Sequence, residues 1–331
     1  MATFANLNRR TAALAVGLAA TLGLAPQWAA AQQFPTKPVR IITPFPVGGG
    51  PDGVARLVAD KLSKTWGQSV VVENRPGGNG FIAIDAFKRG AKDGHDLIVL
   101  DNVHLAAYPS LFKKLPYDTA KDFDPLLPLF RTYFFFTVGT NSPYKTVADV
   151  VADAKARPGK LNYGSWSVGN PVHLGSELFE SMTGTQMEHV IFKETTQLYT
   201  SVSTGDINFA MGSAATAGPL YRAGKLRLLA TWGEQRTQRF KDTPTLKELG
   251  LNLVQNSPFG IGAPKGTPDT VVKRLHDAFK QAMEQENYRS ALARYDMVPI
   301  YMSSATYQKF AADTFEREKA LVEKLGLAKP Q

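Results

Sequence analysis

The feature that most constrains the fold is a repeating order of short apolar strands, turn-rich loops and helical segments. After a predicted strand at 39–45 and a glycine-rich turn at 46–50, apolar residues recur at helical spacing at Val54, Val58 and Leu62. The order repeats as a strand at 69–74, a loop at 75–80, a helix at 81–89 and a strand at 96–100. Because strands that alternate with helices are typical of parallel sheets covered on both faces, the pattern predicts an α/β fold.

The same pattern continues through the middle of the chain. It predicts strands at 133–138, 160–163, 188–192, 208–211 and 226–231, and helices at 147–156, 173–182 and 196–203. The apolar strands at 133–138 and 258–263 follow loops, and they are the candidates for strands that cross between two domains. Beyond Pro264 the chain is predicted to be mainly helical, with an apolar stripe through Phe310, Thr314, Arg317 and Leu321 in the last helix.

Residues 1–31 have the pattern of a secretory signal. Arg9 and Arg10 end a short basic segment, and an apolar run of Ala, Leu, Val and Gly covers 12–24. Alanines at 29–31 then supply small residues for cleavage, and the apolar run is shorter than the ~20 residues that span a bilayer. We therefore expect an exported, periplasmic protein, with a buried N-terminal helix as the alternative.

Composition excludes several kinds of chemistry. The chain has no cysteine, which excludes thiol catalysis, iron–sulfur clusters, Cys-ligated zinc and disulfides. None of its five histidines stands at metal-ligand spacing, so we expect no metal site. The formal net charge is +9, but the basic residues are scattered, which disfavours nucleic-acid binding. We interpret Asp122 and Asp124 as solvated turn residues rather than an acid/base pair.

Loop one, residues 45–52, joins a predicted strand to a predicted helix and contains three consecutive glycines. Glycines let a ligand approach backbone amides, and a helix N-terminus carries partial positive charge. The segment lacks both the lysine of a P-loop and the glycine spacing of a dinucleotide-binding motif. It is therefore a candidate cradle for a carboxylate, and a plain tight turn is the alternative.

Loop two, residues 165–170, also lies between a predicted strand and a predicted helix. Ser167 and Gly169 nearly match the G-x-S-x-G elbow of serine hydrolases, but Ser165 stands where the first glycine belongs. No recognisable motif places a later histidine as the base, and His189 falls in a strand pattern. We therefore favour a carboxylate held by amides and hydroxyls at a helix start, and keep a secreted serine hydrolase as the alternative.

A series of short segments along the chain matches the pattern of a known family. The matches include PFPVGGGPD at 44–52 and VENRPGG at 72–78, together with segments at 34–40, 114–118, 121–123, 155–163, 173–179, 223–227 and 263–268. In this order and at these intervals the chain resembles the Bug-type periplasmic solute-binding proteins of tripartite tricarboxylate transporters. The resemblance extends from Phe34 to Leu327.

The resemblance implies a two-lobed periplasmic binding protein, or Venus flytrap, of the α/β class with two crossing strands. Lobe one would hold residues 32–131 and 258–331, and lobe two would hold residues 132–257, after the signal peptide at 1–31. A carboxylate would lie between the lobes and be delivered to the membrane subunits of the transporter. The resemblance further implies a monomer without catalysis, cofactor or metal, and ligand sensing is an alternative use of the same protein.

The resemblance also indicates which residues would hold the ligand. In and around loop one they are Phe45, Pro46, Val47, Gly48, Gly49, Asp52, Asn102 and His104. In and around loop two they are Ser165, Trp166, Ser167, Asn170, His173, Lys193, Ser213 and Ala214.

The chain departs from the family pattern beside this pocket. Glu194 follows Lys193 where a glycine is expected soon after the lysine, Gly212 follows Met211 where many members carry an Asp–Asn-like pair, and Trp166 is unusually bulky. Aromatic pairs contribute about 0.5–1.5 kcal/mol beyond the area that they bury. We therefore predict an aromatic mono- or dicarboxylate such as terephthalate or a hydroxybenzoate, with aliphatic dicarboxylates as the main alternative.

Overall fold

Strands and helices alternate along the chain in the computed structural model, as the apolar periodicity predicts. The structure describes residues 34–48, 50–166, 168–192, 194–214, 216–254 and 256–327. The predicted signal segment at 1–31 therefore lies outside the described residues. No helix within the described ranges is long and apolar enough to cross a membrane.

The bounds of most elements agree with the predicted ones to within a few residues. The strands are β1 (Val39–Thr43), β2 (Val70–Asn74), β3 (Asp96–Asp101), β4 (Phe123–Gly139), β5 (Asn162–Ser165), β6 (Glu188–Ile191), β7 (Phe209–Ser213), β8 (Leu226–Thr231), β9 (Asn256–Pro264) and β10 (Met297–Pro299). The α-helices are α1 (Gly50–Trp66), α2 (Phe81–Lys88), α3 (Tyr108–Leu111), α4 (Thr119–Asp122), α5 (Val147–Ala156), α6 (Pro171–Thr183), α7 (Thr195–Thr204), α8 (Gly218–Arg222), α9 (Asp269–Met283), α10 (Glu286–Arg294) and α11 (Ser304–Lys324). A 3₁₀ turn (Gly78–Gly80) precedes α2, and a π-helical segment (Val103–Ala107) leads directly into α3.

The strands form a mixed network rather than a purely parallel sheet. Their order is β2-β1-β3-β9-β4-β7-β5-β6, and β8 and β10 also pair with β4. β1 is parallel to β2 and β3, and β5 is parallel to β6 and β7. β9, however, runs antiparallel to both β3 and β4. The prediction of parallel pairing is therefore correct for these two groups of strands and wrong for β4, β8, β9 and β10, whose pairings are antiparallel.

The 17-residue strand β4 is shared by both groups of strands. Its residues 123–133 pair with β9, whereas residues 134–139 pair with β7 and β8. The apolar pattern predicted only 133–138, because prolines at 125 and 128 disfavour a strand. The register shifts next to both prolines, so that irregularities in the pairing accommodate them.

Two aspartates near the start of β4 correct another expectation. Asp124 lies within β4, and its Oδ1 is 2.6 Å from Lys265 Nζ. Asp122 ends α4, and its Oδ2 is 2.8 Å from Lys88 Nζ. Both carboxylates are mostly buried and paired, so the interpretation of these residues as solvated turn residues was wrong.

The buried face of the last helix differs from the apolar stripe predicted for it. α11 buries Tyr307, Ala311, Thr314, Glu318 and Val322, and only Thr314 belongs to the predicted set. The apolar pattern failed here because the buried face includes the polar side chains of Thr314 and Glu318, which a hydrophobic periodicity does not mark.

Aromatic side chains of β4 organise the apolar interior. The ring of Phe136 stacks on that of Phe209 in β7, with centroids 4.3 Å apart. At the other end of the strand, the ring of Phe123 stacks on that of Phe87 in α2, with centroids 5.5 Å apart. Phe136 shares an apolar cluster with Tyr163 of β5, and Phe123 shares another with Ile42 of β1 and Ile98 of β3. Loops leave the carboxyl ends of these strands.

Candidate functional site

Loop one leaves the carboxyl end of β1 and enters α1, as the sequence predicts. Phe45 is half-buried, whereas Pro46, Val47 and Gly48 are exposed, Val47 by 71%. Gly49 lies outside the described residues. The loop thus presents an exposed, glycine-containing backbone at the N-terminus of a 17-residue helix.

The buried carboxylate of Asp52 holds loop one in place. It accepts hydrogen bonds from the backbone N–H of Gly48 (2.9 Å) and from Asn74 Nδ2 (2.8 Å), and Arg56 Nε lies 3.0 Å from its Oδ1. Burial alone would raise the pKa of Asp52, but the hydrogen bonds from Gly48, Asn74 and Arg56 outweigh it and lower the pKa below its ordinary value. Both oxygens of Asp52 are therefore used within the protein.

His104 lies in the π-helical segment that follows β3. Its Nδ1 is 2.5 Å from Asp101 Oδ1, which accepts the hydrogen bond and assigns the proton to Nδ1. Its Nε2 is buried without a hydrogen-bond partner among the described residues, and a β-carbon on Gly80 would lie 2.2 Å from it. The Phe45 ring meets the His104 ring edge-on at 6.3 Å, and Asn102 is half-buried nearby in sequence. The structure therefore brings Phe45 and His104 together and adds Gly80, which the motifs did not identify.

Asn170 holds both ends of loop two. Its Oδ1 accepts hydrogen bonds from the backbone N–H groups of Val172 (2.8 Å) and His173 (3.1 Å), and its Nδ2 donates to Ser165 Oγ (2.8 Å). Asparagine before a helix whose first residue is proline is a favoured N-terminal sequence, so this cap was readable from Asn170 and Pro171.

Ser165 and two histidines form a buried polar cluster beside loop two. Ser165 Oγ is 2.6 Å from His189 Nε2, and the His189 ring stacks on that of His173 with centroids 4.1 Å apart. His173 Nδ1 accepts a hydrogen bond from the backbone N–H of Gly169 (3.0 Å). Burial lowers the pKa of His173 to about 4, and burial together with the neighbouring His173 lowers the pKa of His189 to about 4. Both rings are therefore neutral at pH 7.

The Ser165–His189 distance is that of a nucleophile and its base, and no sequence motif had placed His189 there. Ser165 is completely buried, however, and its hydroxyl oxygen also accepts a hydrogen bond from Asn170. An incoming carbonyl carbon could not reach it. Ser167, the predicted elbow serine, lies outside the described residues. The geometry therefore gives His189 a positioning role rather than a catalytic one.

Trp166 and the end of β7 meet at Phe134. Trp166 is half-buried, and its ring centroid lies 6.5 Å from that of Phe134. Ser213 pairs with Phe134 across the β4–β7 ladder, and both Ser213 and Ala214 are buried. Lys193, a further predicted contact, lies outside the described residues. The structure thus brings Trp166 and the backbone of Ser213 to Phe134, whereas Ala214 packs in a cluster with Phe135 and Phe240.

The segment that carries His104 also packs against the helix that follows loop two. Leu111, the last residue of α3, lies in one apolar cluster with Leu174 of α6, Val103 and Val322. Residues 103–111 therefore contact both Phe45 of loop one, through His104, and α6 after loop two, through Leu111. Within the described parts of the chain, no group of three or more His, Asp or Glu side chains could hold a metal ion.

Comparison with known proteins supplies a family description. A family model described as "Tripartite tricarboxylate transporter family receptor" matches residues 54–327. The "UPF0065 protein in gbd 5'region" of Cupriavidus necator is 42% identical over 331 residues, which cover 98% of this chain and 100% of that protein.

Two solved structures with similar folds carry named ligands. One, described as "R. palustris Rpa4515 with adipate", has a TM-score of 0.80 and 29% identity, and the match covers 89% of this chain and 99% of that one. The other, MatC from Rhodopseudomonas palustris with bound malate, has a TM-score of 0.75 and 26% identity, and the match covers 87% of this chain and 100% of that one.

Proposed function

The chain belongs to the tripartite tricarboxylate transporter receptor family, and from that premise we propose that it captures a carboxylate ligand between loop one and loop two. Receptors of this family are periplasmic solute-binding proteins, not enzymes. One observation carries the proposal: each loop joins the carboxyl end of a parallel strand to the N-terminus of a long helix, α1 or α6. Helix N-termini carry partial positive charge that attracts an anion. At α6 the N–H groups of Val172 and His173 are taken by Asn170, so the helix dipole acts on the ligand there.

In this proposal backbone groups of the two loops bind the ligand, and side chains hold the loops in position. The exposed backbone of loop one, apart from the Gly48 N–H that donates to Asp52, takes one end of the ligand, and the partial positive charge at the start of α6 attracts the other. Asp52 and Asn170 act as positioning residues, since their polar atoms are used inside the protein. His104 Nε2 has no hydrogen-bond partner among the described residues and supplies a polar atom next to loop one.

We propose an aromatic mono- or dicarboxylate, such as terephthalate or a hydroxybenzoate, as the ligand. Trp166 and Phe45 are both half-buried, so part of each ring stays accessible for stacking. Adipate-like aliphatic dicarboxylates are the second candidate. They are favoured by the R. palustris relatives, whose structures are described with adipate and malate.

We further propose that the chain forms two lobes and that the receptor delivers its ligand to a transporter. Lobe one comprises residues 32–131 and 258–331, lobe two comprises residues 132–257, and β4 and β9 are the crossing strands. The sharing of β4 between two groups of strands supports this division. Only a closed arrangement contacts both ends of the ligand, so binding favours closure. The exported, ligand-bound monomer then delivers its ligand to the membrane subunits of the transporter.

A thermal-shift screen of the protein lacking residues 1–31 tests the proposal. Terephthalate, 4-hydroxybenzoate, adipate and malate are the first probes, and a ligand present at 100 times its Kd should stabilise the protein by ~2.7 kcal/mol. If no carboxylate shifts the unfolding temperature, the proposed function is wrong. Uptake of the identified ligand by cells with and without the chain separates transport from sensing.

A further inference from the structure

A cavity lies beneath the last helix, and no described residue of loop one or loop two lines it. We call it the α11 pocket; its volume is about 530 Å³. Its walls include the apolar side chains of Leu105, Phe112, Leu115, Phe123 and Phe315. Pockets that bind small molecules commonly measure about 300–1,000 Å³ and are lined mainly by apolar and aromatic groups. The α11 pocket therefore has the size and lining of a small-molecule site.

The charges at the rim of the α11 pocket favour an anion. Lys113 is exposed at the rim, and none of the ion pairs observed within the described ranges uses it. Lys265 also lines the pocket, but its Nζ is 2.6 Å from Asp124 Oδ1. The carboxylate of Asp118 caps α4 and pairs with Lys121 at 3.1 Å. Lys113 is thus the rim cation whose charge a ligand can pair.

A polar atom in the pocket wall also lacks a partner. Thr119 Oγ1 is buried and makes no hydrogen bond among the described residues. A buried hydroxyl without a partner costs free energy. Because that oxygen has almost no solvent-accessible surface, the polar contact for a ligand comes from Lys113, which lines the pocket together with the aromatic walls. Together they describe a site with one apolar and one polar part.

We propose that the α11 pocket binds a small amphipathic carboxylate, such as a medium-chain or aryl-substituted acid. The apolar part packs among the aromatic walls, and the carboxylate pairs with Lys113. The pocket also borders the segment that carries His104, because Tyr117 lines the pocket and its Oη donates to the His104 carbonyl at 2.6 Å. This second ligand is independent of the one proposed for loops one and two.

Fluorescence quenching by 8-bromooctanoate tests the proposal on the protein lacking residues 1–31. Phe315→Trp places a fluorophore in the pocket wall, whereas Glu316→Trp, whose residue does not line the pocket, is the matched control. Phe112→Trp repeats the measurement from the α3 side of the pocket if Phe315→Trp fails to fold. The wild-type protein, whose tryptophans after residue 31 are Trp66, Trp166 and Trp232, gives the quenching that arises outside the pocket. We expect saturable quenching of Phe315→Trp beyond that of both the wild type and Glu316→Trp.

Two further comparisons test the role of charge. Lys113→Ala should weaken binding about two- to five-fold, the range of an exposed charge pair, whereas Lys319→Ala on the same helix as Phe315 should leave it unchanged. The uncharged 8-bromooctan-1-ol should bind more weakly than the acid, and equal binding would overturn the carboxylate assignment. Equal quenching of wild type and Phe315→Trp would place the probe outside the pocket, near one of the native tryptophans. That result, or the absence of saturable quenching, would overturn the α11 pocket and leave the proposed receptor function standing.

Discussion

Leu111 occupies the space in which a side chain at position 169 would lie. A β-carbon on Gly169 would be 1.8 Å from Leu111 Cδ1, and Gly169 has a φ of +80°. Loop two thus packs with its bare backbone against the end of α3, which continues from the π-helical segment that carries His104. The contact makes glycine necessary at this position for both steric and conformational reasons.

Gly169→Ala should lower the free energy of unfolding by more than an alanine at another glycine position with positive φ would. Overpacking typically costs about 1–3 kcal/mol. Gly184→Ala is the matched control, because Gly184 has a φ of +64° but no atom within 4 Å of its β-carbon position. Urea unfolding measures both variants. In a double-mutant cycle, Leu111→Ala should offset part of the cost. Equal free energies of unfolding for Gly169→Ala and Gly184→Ala would contradict the steric role of Leu111.

Gly80→Ala should impair carboxylate binding by displacing His104. Its β-carbon would lie 2.2 Å from His104 Nε2, whereas a β-carbon on Gly77 would meet only Ile82 at an ordinary 3.5 Å. Both glycines have positive φ, so Gly77→Ala controls for backbone strain. Calorimetry with the best ligand of the screen should show a loss for Gly80→Ala only. Normal binding by Gly80→Ala would remove His104 from the site.

Asn170→Asp should distinguish the role of this residue in capping α6 from its role beside the bound ligand. Aspartate caps as well as asparagine, so the helix keeps its N-cap, whereas Asn170→Ala should lose about 0.5–2 kcal/mol of stability. The aspartate nevertheless cannot donate to Ser165 Oγ as Asn170 Nδ2 does, and it adds a negative charge beside a carboxylate. We expect near-normal unfolding but greatly weakened ligand binding for Asn170→Asp. Retained binding would show that the ligand does not approach the start of α6.

Acid should destabilise the protein through His173 and His189. Their pKa values are lowered to about 4 by burial, below the ordinary value of 6.5, so the unfolded chain binds more protons between about pH 4 and 6.5. Stability is therefore complete above about pH 6.5 and falls as the pH is lowered through this window. The slope is at most ~1.4 kcal/mol per pH unit for each histidine.

A paired variant isolates this effect from Glu180. Burial and the nearby Glu177 raise the pKa of Glu180 to about 7, so this carboxyl opposes the histidines over part of the same range. His173→Asn combined with His189→Gln keeps hydrogen-bonding groups near Gly169 and Ser165 but removes both titrations. Urea unfolding from pH 7 to pH 4 should show a shallower loss in the double variant. Parallel curves would mean that the histidines do not set the acid sensitivity.

Trp166→Ala should discriminate between classes of ligand. If an aromatic ring stacks on Trp166, aromatic acids should lose about 0.5–1.5 kcal/mol more binding free energy than aliphatic acids of similar length. Trp66→Ala, on α1 outside both loops, is the control for loss of a tryptophan. Calorimetry with terephthalate and adipate measures the difference. Equal weakening of both ligands would favour the aliphatic alternative.

Local patterns were sufficient for the parts of the molecule that depend on neighbouring residues. Apolar periodicity predicted most strands and helices, and the family's motifs indicated the receptor family that the comparison confirmed. The cap at Asn170 and the position of loop one between β1 and α1 also follow from adjacent residues. These features are local because turn chemistry, capping and strand-to-helix order involve only a few consecutive positions.

Tertiary structure decided the contacts between distant positions. His189 reaches Ser165 because β6 pairs parallel to β5 in a register that sets His189 beside Tyr163, and periodicity carries no information on register. His104, which follows β3, reaches Gly80, which follows β2, through the sheet order β2-β1-β3. The first part of β4 escaped prediction because pairing with β9 overrides the effect of its prolines. Sequence thus determined the elements and the family, whereas sheet register and side-chain packing determined which residues meet in the candidate site.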